Sequence, residues 1–198
     1  MSGRQAELYK EELARAQMLV LSSSGFDMVN KRRFALLQAL TRLRQICCHP
    51  SLVDKTAENE ESAKLTATLE RIEELHAEGH KVLLFSQFVS MLKIIRTKLE
   101  EMKLPFHWLT GASTDRASIV KAFQDDENAS VFLLSLKAGG SGLNLTAASY
   151  VILYDPWWNP AVENQATDRA HRIGQTQPVI AYRMLTRATI EEKIMTLQ

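Results

Sequence analysis

The chain has 198 residues, 45% of them hydrophobic and 24% charged, which suits one substantial domain with an appendage or two small domains and excludes disorder and collagen-like repeats. Lys and Arg number 24 against 23 Asp and Glu, a formal net charge of +1, so any nucleic-acid binding must come from local arrangement and not from bulk charge. No apolar run approaches the roughly 20 residues that a bilayer span needs, the first residues lack the apolar core of a secretion signal, and the adjacent Cys47 and Cys48 make a poor disulfide pair, which fits a reduced intracellular protein with no membrane partner.

In chain order, the spacing of Leu13 and Val20, then of Phe34, Leu37, Leu40, Leu43 and Cys47, predicts two helices joined by a Ser/Gly-bearing turn at 22–27. The second helix is basic: residues 31–53 contain Lys31, Arg32, Arg33, Arg42 and Arg44 and no acid. Pro50 stops it, because proline donates no helical hydrogen bond and biases the preceding residue away from helix. Residues 54–78 reverse the sign, with eight acids against three bases, and 53–64 reads as a polar linker. Ser62 caps a helix with Leu65, Leu69, Ile72 and Leu75 on its apolar face, and Gly79 ends it.

Residues 81–85, KVLLF, are a short apolar run suited to a strand buried on both faces. The pattern then predicts a helix over 89–102, a strand over 106–109, a helix over 114–124 and strands over 130–135 and 150–154. A helix over 161–172, a strand over 178–184 and a helix from 189 complete it. Strands alternating with helices predict an α/β fold, a parallel sheet with helices on both faces joined by right-handed crossovers. The pattern stops inside a helix at Gln198, so the chain reads as a piece of something longer.

In an open parallel sheet, ligands bind beyond the carboxyl ends of the strands. Three segments there carry unusual residues. SQF (86–88) follows the first strand. LKAGGSGLNL (136–145) follows the third, and Gly139, Gly140 and Gly142 would let backbone N–H groups approach a phosphate, although glycine content alone favours a plain tight turn. In QATDRAHRIGQ (165–175), Gln165, Arg169 and Arg172 fall at i, i+4 and i+7 and would share one helical face. Arginine suits phosphate oxygens, because its planar fork donates two parallel hydrogen bonds and keeps its charge. Two arginines so close repel unless an anion or an acid separates them, and Glu163 and Asp168 offer a surface salt-bridge network as the alternative. Cys47-Cys48-His49 lacks a second pair at metal-ligand spacing and reads as core.

SLKAGGSGLNL, DPWWNP (155–160) and QATDRAHRIGQ follow one another within about 45 residues, and together this order resembles the carboxy-terminal motor lobe of the Swi/Snf family of DNA-dependent ATPases. KVLLFSQF (81–88), LTGAS (109–113) and LTRLRQICCHP (40–50) resemble further stretches of that family. The resemblance implies a RecA-like α/β lobe over 65–198, a helical protrusion over 1–53 leading to a missing first lobe, and a polar linker at 54–64. It further implies ATP with magnesium in the cleft between two lobes, the magnesium ligands lying in the first. This chain has no G-x-x-x-x-G-K-[ST] phosphate loop and no acidic pair for the metal, so hydrolysis by this chain alone is not expected.

By the same resemblance Arg169 and Arg172 are arginine fingers for the γ-phosphate, and Gln165 orients the nucleotide or the attacking water. Gly140, Gly142 and Asn144 lie near ribose and phosphates. Ser86, Gln87, Thr110, Gly111, Ser135, Lys137 and Gly139 contact the backbone of double-stranded DNA. The implied whole is a duplex translocase that remodels protein–DNA complexes, so DNA-bound proteins join DNA and the first lobe as partners. Its place is a nucleoid or a nucleus, the compact motif spacing favouring a prokaryotic source. Trp157 and Trp158 read as packing in a Pro-bounded loop in preference to stacking on bases, with Asn159 and Pro160 starting the helix that follows. The arginines of 31–47 suit DNA, the first lobe or solvent. The rival readings are a strand-separating helicase and a non-catalytic docking module derived from a motor lobe.

Overall fold

A computed structural model describes residues 1, 3–21, 28–136, 138 and 142–197. Five strands, β1 (Val82–Ser86), β2 (Phe106–Leu109), β3 (Val131–Ser135), β4 (Tyr150–Leu153) and β5 (Ile180–Arg183), form one sheet in the order β2-β3-β1-β4-β5, and every neighbouring pair is parallel. This is the parallel α/β architecture that the alternation of strands and helices predicted, in keeping with the RecA-like lobe that the resemblance implied. All five residues of β1 and of β3 are buried, which is why both read as unbroken apolar runs with no polar alternation.

The twofold side-chain period of a strand divides these residues between two layers. Leu84, Leu133 and Ile152 pack against α3 (Ala63–Ala77) and α4 (Val89–Glu101) through Ile72, Leu92 and Ile95. Leu83, Phe85, Phe132 and Val151 pack against α5 (Arg116–Asp125) and α6 (Pro160–Thr167) through Phe123 and Ala166. The predicted caps form: the Ser62 hydroxyl accepts from Leu65 N at 3.5 Å and the Asn159 amide oxygen from Ala161 N at 3.0 Å, with Pro160 in the first turn of α6.

One predicted helix is shorter than its sequence pattern. The segment expected to be helical over 161–172 leaves the helix after Thr167. Arg169 N and Ala170 N bond back three residues, to Ala166 O and Thr167 O, which tightens the turn, and Arg169 O accepts from Leu145 N at 3.0 Å. A carbonyl taken by another loop no longer serves the helix. The predicted turn at 22–27 lies outside the described residues.

Upstream, α1 (Gly3–Leu21) and α2 (Met28–Cys48) form a hairpin with its own core of Tyr9, Ala39, Leu43 and Ile46. The last carbonyls of a helix have no partner within it, and here each is met by a different element. Gln5 Nε2 donates to Ile46 O at 2.8 Å, Thr186 Oγ1 to Cys47 O at 3.2 Å, and Tyr154 Oη and Ser62 Oγ to Cys48 O at 3.0 and 2.9 Å. The hairpin is thereby tied to the lobe. Both cysteines are buried and free, and burial pushes the Cys47 thiol up to about 12, as suits a packed and unreactive group. The segment read as a linker has local structure too: Lys55–Ala57 is a short helical turn, capped by the Asp54 carboxylate accepting from Thr56 N at 3.0 Å.

One buried ion pair closes the fold. Lys64, in the first turn of α3, places Nζ 2.5 and 2.6 Å from the two carboxylate oxygens of Glu191 on α7 (Ile190–Leu197), and also donates to Tyr154 O at 3.3 Å. Burial pushes the Glu191 carboxyl up, against the opposing pull of Lys64 and the Thr186 N–H. Breaking such a pair by removing one partner leaves an uncompensated buried charge at a cost of about 3–5 kcal/mol, whereas replacing both by apolar groups is often close to neutral. Glu191→Gln is expected to destabilise the chain on that scale in urea unfolding, and Lys64→Met with Glu191→Leu to recover most of the loss; additive losses would contradict this.

Candidate functional site

The segment that follows β3 meets the turn that follows α6. Arg169 is 2% exposed, and its Nε and Nη1 are buried without a hydrogen-bond partner among the described residues. Burial, and then repulsion from Arg172, holds its pKa below the ordinary arginine value. A buried guanidinium with unused donors is costly unless an anion arrives to meet it. Arg172 is exposed and donates from Nη1 to Gly142 O at 2.9 Å, and Gly142 sits at φ +50°, the left-handed region that glycine adopts without penalty.

The two segments are therefore strapped together, by Leu145 N on Arg169 O and by Arg172 on Gly142. Gln175 adds a third strap that the sequence did not flag: its Nε2 lies 3.1, 2.9 and 3.2 Å from the carbonyls of Thr146, Ala148 and Ala170. The shared helical face predicted for Gln165, Arg169 and Arg172 does not form. Because α6 ends at Thr167, Gln165 is exposed on the helix, Arg169 turns into the interior and Arg172 lies in the following turn. Glu163, offered by the sequence as a neutralising acid, is buried and accepts from Trp157 N and Arg183 Nε, each at 2.8 Å. Asn144 is exposed beside the strap.

At the end of β1 the side chains of Ser86 and Gln87 both turn onto Asp155, two residues beyond the end of β4. Ser86 Oγ donates to Oδ1, while Gln87 reaches Oδ2 from its backbone N at 3.3 Å and from Nε2 at 2.5 Å. Asp155 is buried, which pushes its carboxyl up, while the bonds from Ser86 and Gln87 and the nearby Lys64 pull the other way. Thr110 is buried and bonds within its own loop, its N to Ser113 Oγ at 3.0 Å. Gly111 is exposed, and Ser135 is buried with Oγ accepting from Ala138 N at 3.2 Å. The expected contacts at Lys137, Gly139 and Gly140 lie outside the described residues.

Arg44, left between DNA, the first lobe and solvent by the sequence, turns into the lobe itself. It is buried, donates from Nη2 to Pro156 O at 2.7 Å, and lies 5.7–6.0 Å from the ring centroids of Phe88, Trp157 and Trp158. The tryptophan pair thus packs around a cation from the hairpin, an arrangement worth about 1–2 kcal/mol when desolvated. Among the described residues no three or more His, Cys, Asp or Glu group as a metal site would, and no helix is long and apolar enough to cross a membrane.

Comparison with known proteins agrees with this fold. A family model described as the helicase conserved C-terminal domain matches residues 63–174. The protein YwqA of Bacillus subtilis (strain 168) is 42% identical over 201 residues, covering 98% of this chain and 21% of that protein. Protein CHROMATIN REMODELING 24 of Arabidopsis thaliana is 38% identical over 203 residues, covering 82% of this chain and 19% of that protein. Among solved structures, the Sulfolobus solfataricus SWI2/SNF2 ATPase core in complex with double-stranded DNA is 37% identical with a TM-score of 0.84, covering all of this chain and 41% of that one. The chain spans about a fifth of the length of the curated relatives it matches.

The strap makes a prediction independent of any ligand. Gln175→Ala removes one donor group from three buried or half-buried carbonyls and is expected to cost about 1–3 kcal/mol in denaturant unfolding; a loss within a few tenths would show that the strap is not under load.

Proposed function

The chain belongs to the Snf2 family of ATPases as a carboxy-terminal RecA-like lobe, and we propose that in its parent protein it forms the second half of an ATP-driven translocase on double-stranded DNA that remodels protein–DNA complexes. The observation that carries the proposal is Arg169, a buried guanidinium whose Nε and Nη1 have no partner among the described residues. Its burial beside a second arginine suits a dianionic or trianionic ligand better than a lone carboxylate would. The γ-phosphate of ATP held by the first lobe has that charge. A cation fixed in a water-poor site stabilises the charge spread over the transferring phosphoryl group, and it needs no reorganisation at the moment of reaction.

In this reading Arg169 and Arg172 are the arginine fingers. Arg172 spends one of its five N–H donors on Gly142, which aims the fork and leaves the rest for phosphate. Gln165, exposed one turn earlier, orients the nucleotide or the attacking water, and Gly140, Gly142 and Asn144 lie toward ribose and phosphates. Ser86, Gln87, Thr110, Gly111, Ser135, Lys137 and Gly139 form the face toward the DNA backbone, where contact is indifferent to sequence and weakens with salt. Magnesium, whose ligands belong to the first lobe, neutralises phosphate charge when bound. This lobe alone does not hydrolyse ATP, since it has no phosphate loop.

Residues 1–53 act as the helical protrusion, 54–64 as the connection and 65–198 as the lobe. The Arg169 donors left without a partner among the described residues also speak against a docking module, which has no use for them. The parent works where DNA is, in a nucleoid or a nucleus.

Arg169→Ala in the full-length parent is expected to lower DNA-stimulated ATP turnover by about 10³ to 10⁵ with nucleotide affinity changed only a few-fold, and Arg169→Lys to restore little of it. Turnover unchanged by Arg169→Ala would refute the finger assignment.

A further inference from the structure

The carboxylate of Asp155 is used by nothing in the phosphate chemistry, yet it is buried against the end of β1. The cations nearest it do not pair with it directly. Lys64 bonds the carbonyl of Tyr154 and Arg44 the carbonyl of Pro156, so the carbonyls of both neighbouring residues are held by buried positive charges. The carboxylate itself is spent on β1: Oδ1 accepts from Ser86 Oγ, and Oδ2 from the backbone and side-chain nitrogens of Gln87. Ser86 Oγ in turn accepts from Phe88 N at 3.1 Å, at the start of α4, where Phe88 as N-cap supplies no side-chain cap of its own.

We propose that Asp155 is a positioning residue for duplex binding, which fixes the Ser86–Gln87 strand end so that Gln87 meets the DNA backbone in one conformation. The proposal rests on the assignment of Gln87 to the DNA face. Ser86 is fully buried, with its hydroxyl both donating and accepting, so its side chain holds the turn from which Gln87 projects. Gln87 is half-buried and keeps its second Nε2–H and its Oε1 beyond the bond to Asp155. Without an acceptor on Oδ2 that side chain recovers its rotamers, and ordering it again on DNA costs affinity. The wiring also runs to the hairpin, because Arg44 packs against Phe88 as well as against the 156–158 loop. The position of α2 and the pose of Gln87 are thus mechanically linked.

The test uses the full-length parent and reads the duplex DNA concentration that half-saturates its ATPase, for Asp155→Asn, Gln87→Ala and the double variant. Asp155→Asn keeps the size and one acceptor but loses the oxygen that faces Gln87. It is expected to raise half-saturating DNA about tenfold, the equivalent of one charge-assisted hydrogen bond, with turnover at saturating DNA little changed. The double variant is expected to match Gln87→Ala alone, because Asp155 acts through Gln87. Half-saturation unchanged or lowered by Asp155→Asn, while Gln87→Ala raises it, overturns the role of Asp155. So do additive effects in the double variant, or a loss confined to turnover. No effect of Gln87→Ala overturns the underlying DNA assignment instead. Asp155→Ser, read the same way, serves if Asp155→Asn melts far below the parent.

Discussion

The Lys64 ammonium is the point at which the chain closes on itself. An amine buried so deeply must satisfy its donors or lose its charge, and here it finds two carboxylate oxygens of Glu191, the carbonyl of Tyr154 and the face of the Tyr154 ring. Those partners come from the last helix and from the end of a central strand, while Lys64 itself opens the first helix of the lobe. Glu191 also accepts from Thr186 N, which fixes the loop between β5 and α7. Next to this knot the Cys48 carbonyl takes two hydroxyl donors, so the hairpin joins the lobe where the lobe's own ends meet. Remove the pair and three elements lose their mutual reference.

This has consequences at the carboxyl ends of the strands. Lys64 and Arg44 hold the carbonyls on either side of Asp155, Asp155 holds the end of β1, and the parallel register carries that order to β3 through the pairing of Ser86 with Ser135. The turn after α6 is held by Gln175 and by the backbone bond from Leu145, in addition to its own local backbone bonds. Rigid strapping of this kind lets a protein keep in place a buried arginine whose Nε and Nη1 have no partner among the described residues. The cost of desolvating Arg169 is borne by a well-satisfied surround, and a site fixed beforehand reorganises little when charge appears in front of it.

Much of this was legible in the residues. Strand order aside, the sheet follows from apolar runs such as VLLFS and VFLLS, and the caps at Ser62 and Asn159 from residue type and position. What the sequence hid depends on contacts between distant segments. The end of α6 could not be read, because the pattern through Arg172 remains helical, while the backbone tightens to three-residue bonds at Arg169 and Ala170 and the Arg169 carbonyl is taken by Leu145 N. Arg44 reads as one of several surface arginines until three aromatic rings from two other loops close around it. The role of Asp155 is not visible in the sequence, although it lies two residues beyond the end of β4 while Ser86 ends the adjacent β1, and that adjacency is the available clue.

The central claim is that Arg169 stands ready for the transferring phosphate of a nucleotide bound to the other lobe. The most direct measurement is the distance from its guanidinium to the phosphoryl mimic in a structure of the two-lobed parent with ADP, magnesium and aluminium fluoride. The account predicts a nitrogen–fluoride separation of about 3 Å, with Nε or Nη1 as a donor. A closed parent in which Arg169 stays buried and more than about 6 Å from the mimic, while another cation fills its place, would contradict it.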